Sequence, residues 1–124
     1  MSDDRRLRDA MRRSLARLRQ LSSLTELRGI VAAGRPVFVL FTAADCDHCV
    51  DAMFAVSDLS RRYENAVTMC RASLEENHDI VLNYTVTEYP SAIVLRRDVP
   101  PTRVAGIELA EPGSVRRVLD AASR

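Results

Sequence analysis

The sequence predicts an α/β domain: a central mixed β-sheet flanked by helices, with an N-terminal helical extension. Three observations carry this. Residues Val37-Phe38-Val39-Leu40-Phe41-Thr42 form an unbroken apolar, β-rich run, too short to span a membrane and suited to a buried central strand. Directly after it, Cys49, Met53, Val56, Ser60 and Tyr63 recur at three- and four-residue spacing, with Ala52 and Leu59 beside them. That is the pattern of a helix with one buried stripe. Further strand-like and helix-like segments alternate towards the C-terminus, where two strands meet in a hairpin, so the sheet is parallel only in part.

A chain of 124 residues is one domain with one core, and 47% apolar residues with a net charge of +1 suit a globular protein. The near balance of charge gives no electrostatic reason to expect nucleic acid or a membrane as a partner. All 18 basic residues are arginine. No physical demand of a fold removes every lysine, so we read this as a coding bias. Three cysteines are too few for a disulfide scaffold, and their number is odd. The N-terminus, Met-Ser-Asp-Asp-Arg-Arg-Leu-Arg, lacks the apolar core of a secretory signal, and Asp3, Asp4 and Asp9 argue against a transit peptide. A cytoplasmic location is expected.

In order, residues 1–16 form the extension. Leu7, Met11 and Leu15 recur at four-residue spacing among arginines over 4–15, which predicts an amphipathic helix started near Asp3 or Asp4. The domain proper covers 17–124. Arg17–Leu21 alternates polar and apolar, as a short edge strand would. Ser22 or Ser23 caps a helix over Leu24–Ala33, with Glu26 in its first turn and Gly34 closing it. The central strand at 37–42 and the helix ending near Tyr63 follow. Val67–Ala72 is a second buried strand and Glu75–Tyr84 a shorter helix. Ser91–Leu95 is a strand entered through Tyr89-Pro90. Residues 97–101 make a turn, and Thr102–Val104 return as a strand ending near Gly106. Pro112-Gly113-Ser114 opens a last helix with Val115, Val118 and Leu119 inward.

Cys46-Asp47-His48-Cys49 occupies the corner between the central strand and its helix. Two thiols three residues apart at such a corner suit redox chemistry or a metal. Zinc prefers four ligands, and neither a second CxxC nor a His-rich tract supplies the remainder, so no metal and no cofactor is expected. Cys70 reads as a packed core thiol and His78 as a solvated side chain.

The element order and the CxxC after the second strand resemble the thioredoxin family over residues 17–122. Phe41, Ala43, Cys46 and Cys49 fall on the family's F-x-A-x-x-C-x-x-C pattern, with Pro90 and Gly106 at the spacing of its cis-proline and of the glycine that closes its last strand. The departures are as informative. Leu40 stands where typical members carry a buried aspartate, and Asp45 where they carry tryptophan. Asp47-His48 replaces Gly-Pro, Arg71 replaces a strand lysine, and Phe54 replaces the proline that kinks the helix.

The resemblance implies a thiol–disulfide oxidoreductase acting on protein or peptide disulfides, with thioredoxin reductase or glutathione as its reductant. Cys46 would be the nucleophile and Cys49 the resolving thiol. The expected modulating residues are Asp45, Asp47, His48 and Arg71, and Tyr89 and Pro90 are expected to meet the substrate backbone. A histidine before the second cysteine resembles the Cys-Pro-His-Cys site of oxidising relatives, where the thiolate is stabilised. Asp45 and Asp47 act in the opposite sense. The pair is expected to be less reducing than the thioredoxin value of about −270 mV. The alternative is a thioredoxin-fold binding or chaperone-like module with little turnover.

Overall fold

The computed structural model describes residues 2–109 and 111–124. In chain order the elements are α1 (Ser2–Ala16), β1 (Arg19–Gln20), α2 (Leu24–Ala32), β2 (Val37–Thr42), α3 (Asp47–Tyr63), β3 (Thr68–Ser73), α4 (His78–Asn83), β4 (Ser91–Arg96), β5 (Val99–Val104), α5 (Gly106–Leu109) and α6 (Pro112–Ala122). The strands form one five-stranded sheet in the order β1-β3-β2-β4-β5. β1 and β2 run parallel to β3, whereas β4 is antiparallel to β2 and to β5. The mixed sheet expected from the sequence is present, with β2 at its centre.

β2 has no alternation in its sequence because both of its faces are covered. Phe38 and Leu40 join Ala52, Met53 and Val56 of α3 and Val115 and Leu119 of α6 in one core. Val37, Val39 and Phe41 join Leu27 of α2 and Ile80 of α4 in the other. The period-two side-chain rule sends alternate residues to opposite layers, so each must be apolar. The stripe on α3 behaves as its spacing predicts: Cys49, Ala52, Met53, Val56, Ser60 and Tyr63 are all buried.

The start of α2 is set by short polar contacts. The Ser23 hydroxyl accepts the Glu26 N–H at 3.1 Å, and the Glu26 carboxylate accepts the Ser22 N–H at 2.9 Å. This exchange satisfies donors at the helix start that have no partner inside the helix. Gly34, at φ +104°, lets the chain turn out of α2.

The structure departs from the sequence reading at several elements. β3 is shifted by one residue, to Thr68–Ser73. α4 begins at His78 and not at Glu75, because buried Asn77 folds the preceding residues into a turn. Its Oδ1 accepts the Ser73 N–H at 2.9 Å, and its Nδ2 donates to the Leu21 carbonyl at 2.9 Å. β5 begins at Val99, so Pro100 and Pro101 belong to a strand where a turn through Pro101 was expected. An edge strand tolerates proline because one row of its N–H groups needs no partner. The reversal is tighter, with Asp98 in the left-handed region at φ 63°. α5, four residues long, was not anticipated; it is too short to show a period.

α1 packs beside α3, and Arg17 at its end lies 3.8 Å from the Asp58 carboxylate. Leu7 is half exposed, while the side chains of Met11 and Leu15, which completed the expected stripe, lie outside the described residues.

Candidate active site

β2 ends at Thr42 and α3 begins at Asp47, with Cys46 as the residue that caps it. The intervening turn holds Asp45 in the left-handed region, φ 56°. Aspartate enters this region more readily than most residues, but a non-glycine residue there stays only where its surroundings hold it. Two such restraints are visible, and they come from consecutive residues. The Leu74 N–H donates to the Thr42 carbonyl at 2.9 Å, and the Glu75 carboxylate accepts the Ala44 N–H at 3.0 Å.

Cys46 and Cys49 are joined in a disulfide, with Cα atoms 5.3 Å apart. Cys46 is half-buried at the helix start, while Cys49, one turn in, is 3% exposed. An incoming sulfur can therefore reach Cys46 and not Cys49. In the reduced state, a Cys46 thiolate sits beside the unpaired N–H groups of the first helical turn, which favour negative charge. Asp47 and His48 lie in that same turn, and both are exposed.

Beneath the helix, Leu40 is fully buried in the core with Ala52 and Met53, one turn along α3 from Cys49. Arg71 is its register partner on β3 and shares the α3 face of the sheet with Met69. Burial lowers the pKa of the Arg71 guanidinium, and Glu76 counteracts the shift. Leucine and arginine thus occupy the two positions where the resembled family carries a carboxylate and an amine, and Leu40 supplies no proton acceptor.

The pairing of Phe41 with Ser91 puts Pro90 next to the end of β2, from which the CxxC turn departs. The Tyr89–Pro90 peptide bond is cis. The Tyr89 ring packs at the edge of the α2 and α4 core, and its hydroxyl donates to the Val86 carbonyl at 3.3 Å. Burial and the Glu75 charge raise its pKa. Gly106 lies against this proline: a Cβ there would overlap the Pro90 carbonyl oxygen. A groove of about 520 Å³ borders the same loop, lined by Thr85, Thr87, Glu88, Ser91 and Arg103. A more apolar hollow of about 360 Å³, between the β4–β5 hairpin and α6, lies at the opposite end of the sheet.

Asp45, Cys46, Asp47, His48 and Cys49 are contiguous in the chain and form a single corner. Pro90 reaches the same end of the sheet through strand register, and Arg71 lies one strand away on the α3 face. Cys70 is fully buried on the opposite face, and burial pushes its thiol up to about 11. His78 is exposed at the start of α4. Among the described residues, no group of three or more His, Cys, Asp or Glu is arranged to hold a metal. Sequence reasoning missed Glu75: it is one of two adjacent glutamates, and only the fold brings it to Ala44.

A mixed sheet with a CxxC at the strand-to-helix corner and a cis-proline at the same end of the sheet defines a thiol–disulfide class of domain. The comparisons agree. A family model described as Thioredoxin matches residues 22–112, and the chain belongs to the thioredoxin family. Among solved structures, it is similar to a thioredoxin of Malassezia sympodialis, with 16% identity and a TM-score of 0.78 over 86% of this chain and 91% of that one. Mitochondrial thioredoxin 3 of Saccharomyces cerevisiae gives 20% identity and 0.76 over 87% and 98%. A thioredoxin of Trypanosoma brucei brucei gives 22% and 0.73 over 84% and 88%. At these identities the structural likeness speaks for the fold. α1 precedes the matched family region.

Proposed function

We propose that the protein is a thiol–disulfide oxidoreductase acting on protein or peptide disulfides through Cys46 and Cys49. The observation that carries this is the asymmetry of the pair, a reachable sulfur bonded to a buried one at a helix start in a thioredoxin-family fold. In the reducing direction, the Cys46 thiolate attacks one sulfur of a client disulfide and expels the other as a thiolate. Cys49, losing its proton, then attacks the Cys46 sulfur and releases the first client sulfur. The client gains two electrons and the pair returns to its disulfide. Thioredoxin reductase or glutathione would supply the electrons for the next cycle, and a cytoplasmic location belongs to the same reading.

Asp45, Asp47, His48 and Arg71 modulate the pair in this reading, with Tyr89 and Pro90 aligning an extended client segment. His48 at the helix start favours a potential less reducing than about −270 mV, the thioredoxin value. A glutathione-redox titration tests this, and a potential at or below that value removes it.

The second reading, a binding or chaperone-like module, is supported by Leu40, which supplies Cys49 with no proton acceptor, and by Asp45, which stands where typical family members carry tryptophan. Trapping separates the two. With Cys49→Ser, an exchange enzyme accumulates mixed disulfides through Cys46 that dithiothreitol releases. If none forms with peptide disulfides, the enzyme reading is wrong.

A further inference from the structure

The turn that presents Cys46 has left the sheet by Thr42, so the Ala44 N–H is beyond the strand pairing. Its partner is a side chain from another segment: Glu75, directly after β3, accepts it at 3.0 Å. The preceding residue, Leu74, ties the Thr42 carbonyl through its backbone. The next residue after Ala44 is Asp45, held at φ 56°. A left-handed aspartate needs its neighbours to fix it, and the Ala44–Glu75 bond does so from outside the turn. We propose that Glu75 is a positioning residue for Cys46, tethering the turn that presents the thiol and making that thiol less acidic than the helix start alone would.

The charge and the bond act separately. A carboxylate fixed at Ala44 sits two residues from the sulfur-bearing Cys46, and like charge disfavours a thiolate. Glu75 also faces the cis-proline loop, where its field acts on Tyr89. The other charged groups of this corner are Asp45 and Asp47 beside Cys46 and His48 on α3; Arg71, one strand away on β3, has Glu76 acting on it. Asp45 and Asp47 act in the same sense as Glu75, while His48, when protonated, and Arg71 oppose it. Glu75 differs from all of these in being bonded to the turn backbone, so it controls both where the thiol is and how readily it ionises. The assignment rests on the exchange reading above for its consequence, but not for its test.

The test uses the reduced full-length protein and two variants. Glu75→Gln keeps an oxygen acceptor for Ala44 and removes the charge; Glu75→Ala removes both. Alkylation of Cys46 by neutral iodoacetamide, followed against pH and mapped by mass spectrometry, reports the thiol's ionisation midpoint without requiring turnover. Exchange with neutral hydroxyethyl disulfide, at a pH above that midpoint, reports presentation of the thiolate. Glu75→Gln is expected to lower the midpoint by about half a pH unit and to slow exchange by less than about twofold, the loss that a less basic thiolate brings by itself. Glu75→Ala should lower it similarly and slow exchange several-fold. An unmoved or raised midpoint in Glu75→Gln overturns the charge effect, and equal exchange rates in the two variants overturn the tether. If the wild type alkylates normally but exchanges with no disulfide, the oxidoreductase reading fails while the midpoint comparison still decides the role of Glu75.

Discussion

Cys46 and Cys70 are the same side chain in opposite settings. Cys46 is half-buried at the N-terminus of α3, with Cys49 bonded to it and Asp47 and His48 in the same helical turn. Cys70 sits mid-strand on β3, fully buried against Val39 and the α2 and α4 core, with its thiol pushed up to about 11. A thiol reacts as thiolate, so burial disfavours reaction at Cys70, and in the proposed function the helix start favours it at Cys46. On that reading reactivity follows from position in the fold, since nothing in the side chain itself separates the two.

The strongest way to break this contrast is to remove each thiol in turn. Cys46→Ser should lower the rate of exchange with a peptide disulfide by on the order of a thousandfold or more, since the nucleophile is gone. Cys70→Ser should leave the rate near that of the wild type while destabilising the fold, because a hydroxyl replaces a packed sulfur. Equal losses of exchange activity in the two variants would mean that Cys70 takes part.

The setting of Cys46 also depends on segments far from it in the chain. Gly106→Ala drives a Cβ into the Pro90 carbonyl oxygen, backbone against side chain with no flexible end to yield. A loss of about 2 to 4 kcal/mol in urea unfolding is expected. An unchanged unfolding midpoint would show that the Pro90 loop gives way easily.

How legible this was depends on the range of the interaction. β2 and α3 were plain, because Val37–Thr42 and the Cys49-to-Tyr63 stripe express burial directly through period. Pro90 and Gly106 were recognisable by their spacing, but not the reason for the glycine, which is the proximity of Pro90 in space. Glu75 could not be read at all: its contact with Ala44 joins segments that only β2–β3 pairing brings together. The prolines of β5 misled for a related reason, since an edge strand and a turn accept proline equally until the neighbours are known.

The buried setting has its own signature in alkali. Burial pushes the folded Cys70 thiol up to about 11, against an ordinary value of 9.0. Between these values the unfolded chain has released its proton and the folded chain still holds it. Stability from this group is therefore complete below pH 9 and is lost as the pH rises towards 11. The shift is worth about 2 to 3 kcal/mol in all. Tyr63, Tyr84 and Tyr89 have raised pKa values too, chiefly through burial, so the wild type alone cannot isolate the effect. Urea unfolding of wild type and Cys70→Ala at pH 8 and pH 10.5 does so. The variant should lose less stability between the two pH values, and parallel losses would refute the assignment.

The smallest expected effect concerns the step after Cys46 has reacted. In the proposed cycle Cys49 then loses a proton in a closed space, and Leu40, packed with Ala52 and Met53 one turn along the helix, cannot take it. Leu40→Asp places a carboxyl there. Burial raises the pKa of such a group towards neutrality, which makes it a competent acceptor near pH 7. Insulin reduction should accelerate about tenfold, below the gain of an evolved general base, because nothing has been arranged to orient the new carboxylate. The same substitution buries a polar group and lowers stability, so the rate is measured at a temperature where the variant is folded. An unchanged rate would mean that water or His48 already removes the proton fast enough. The slow step of the cycle would then lie with the attack of Cys46 on the client disulfide.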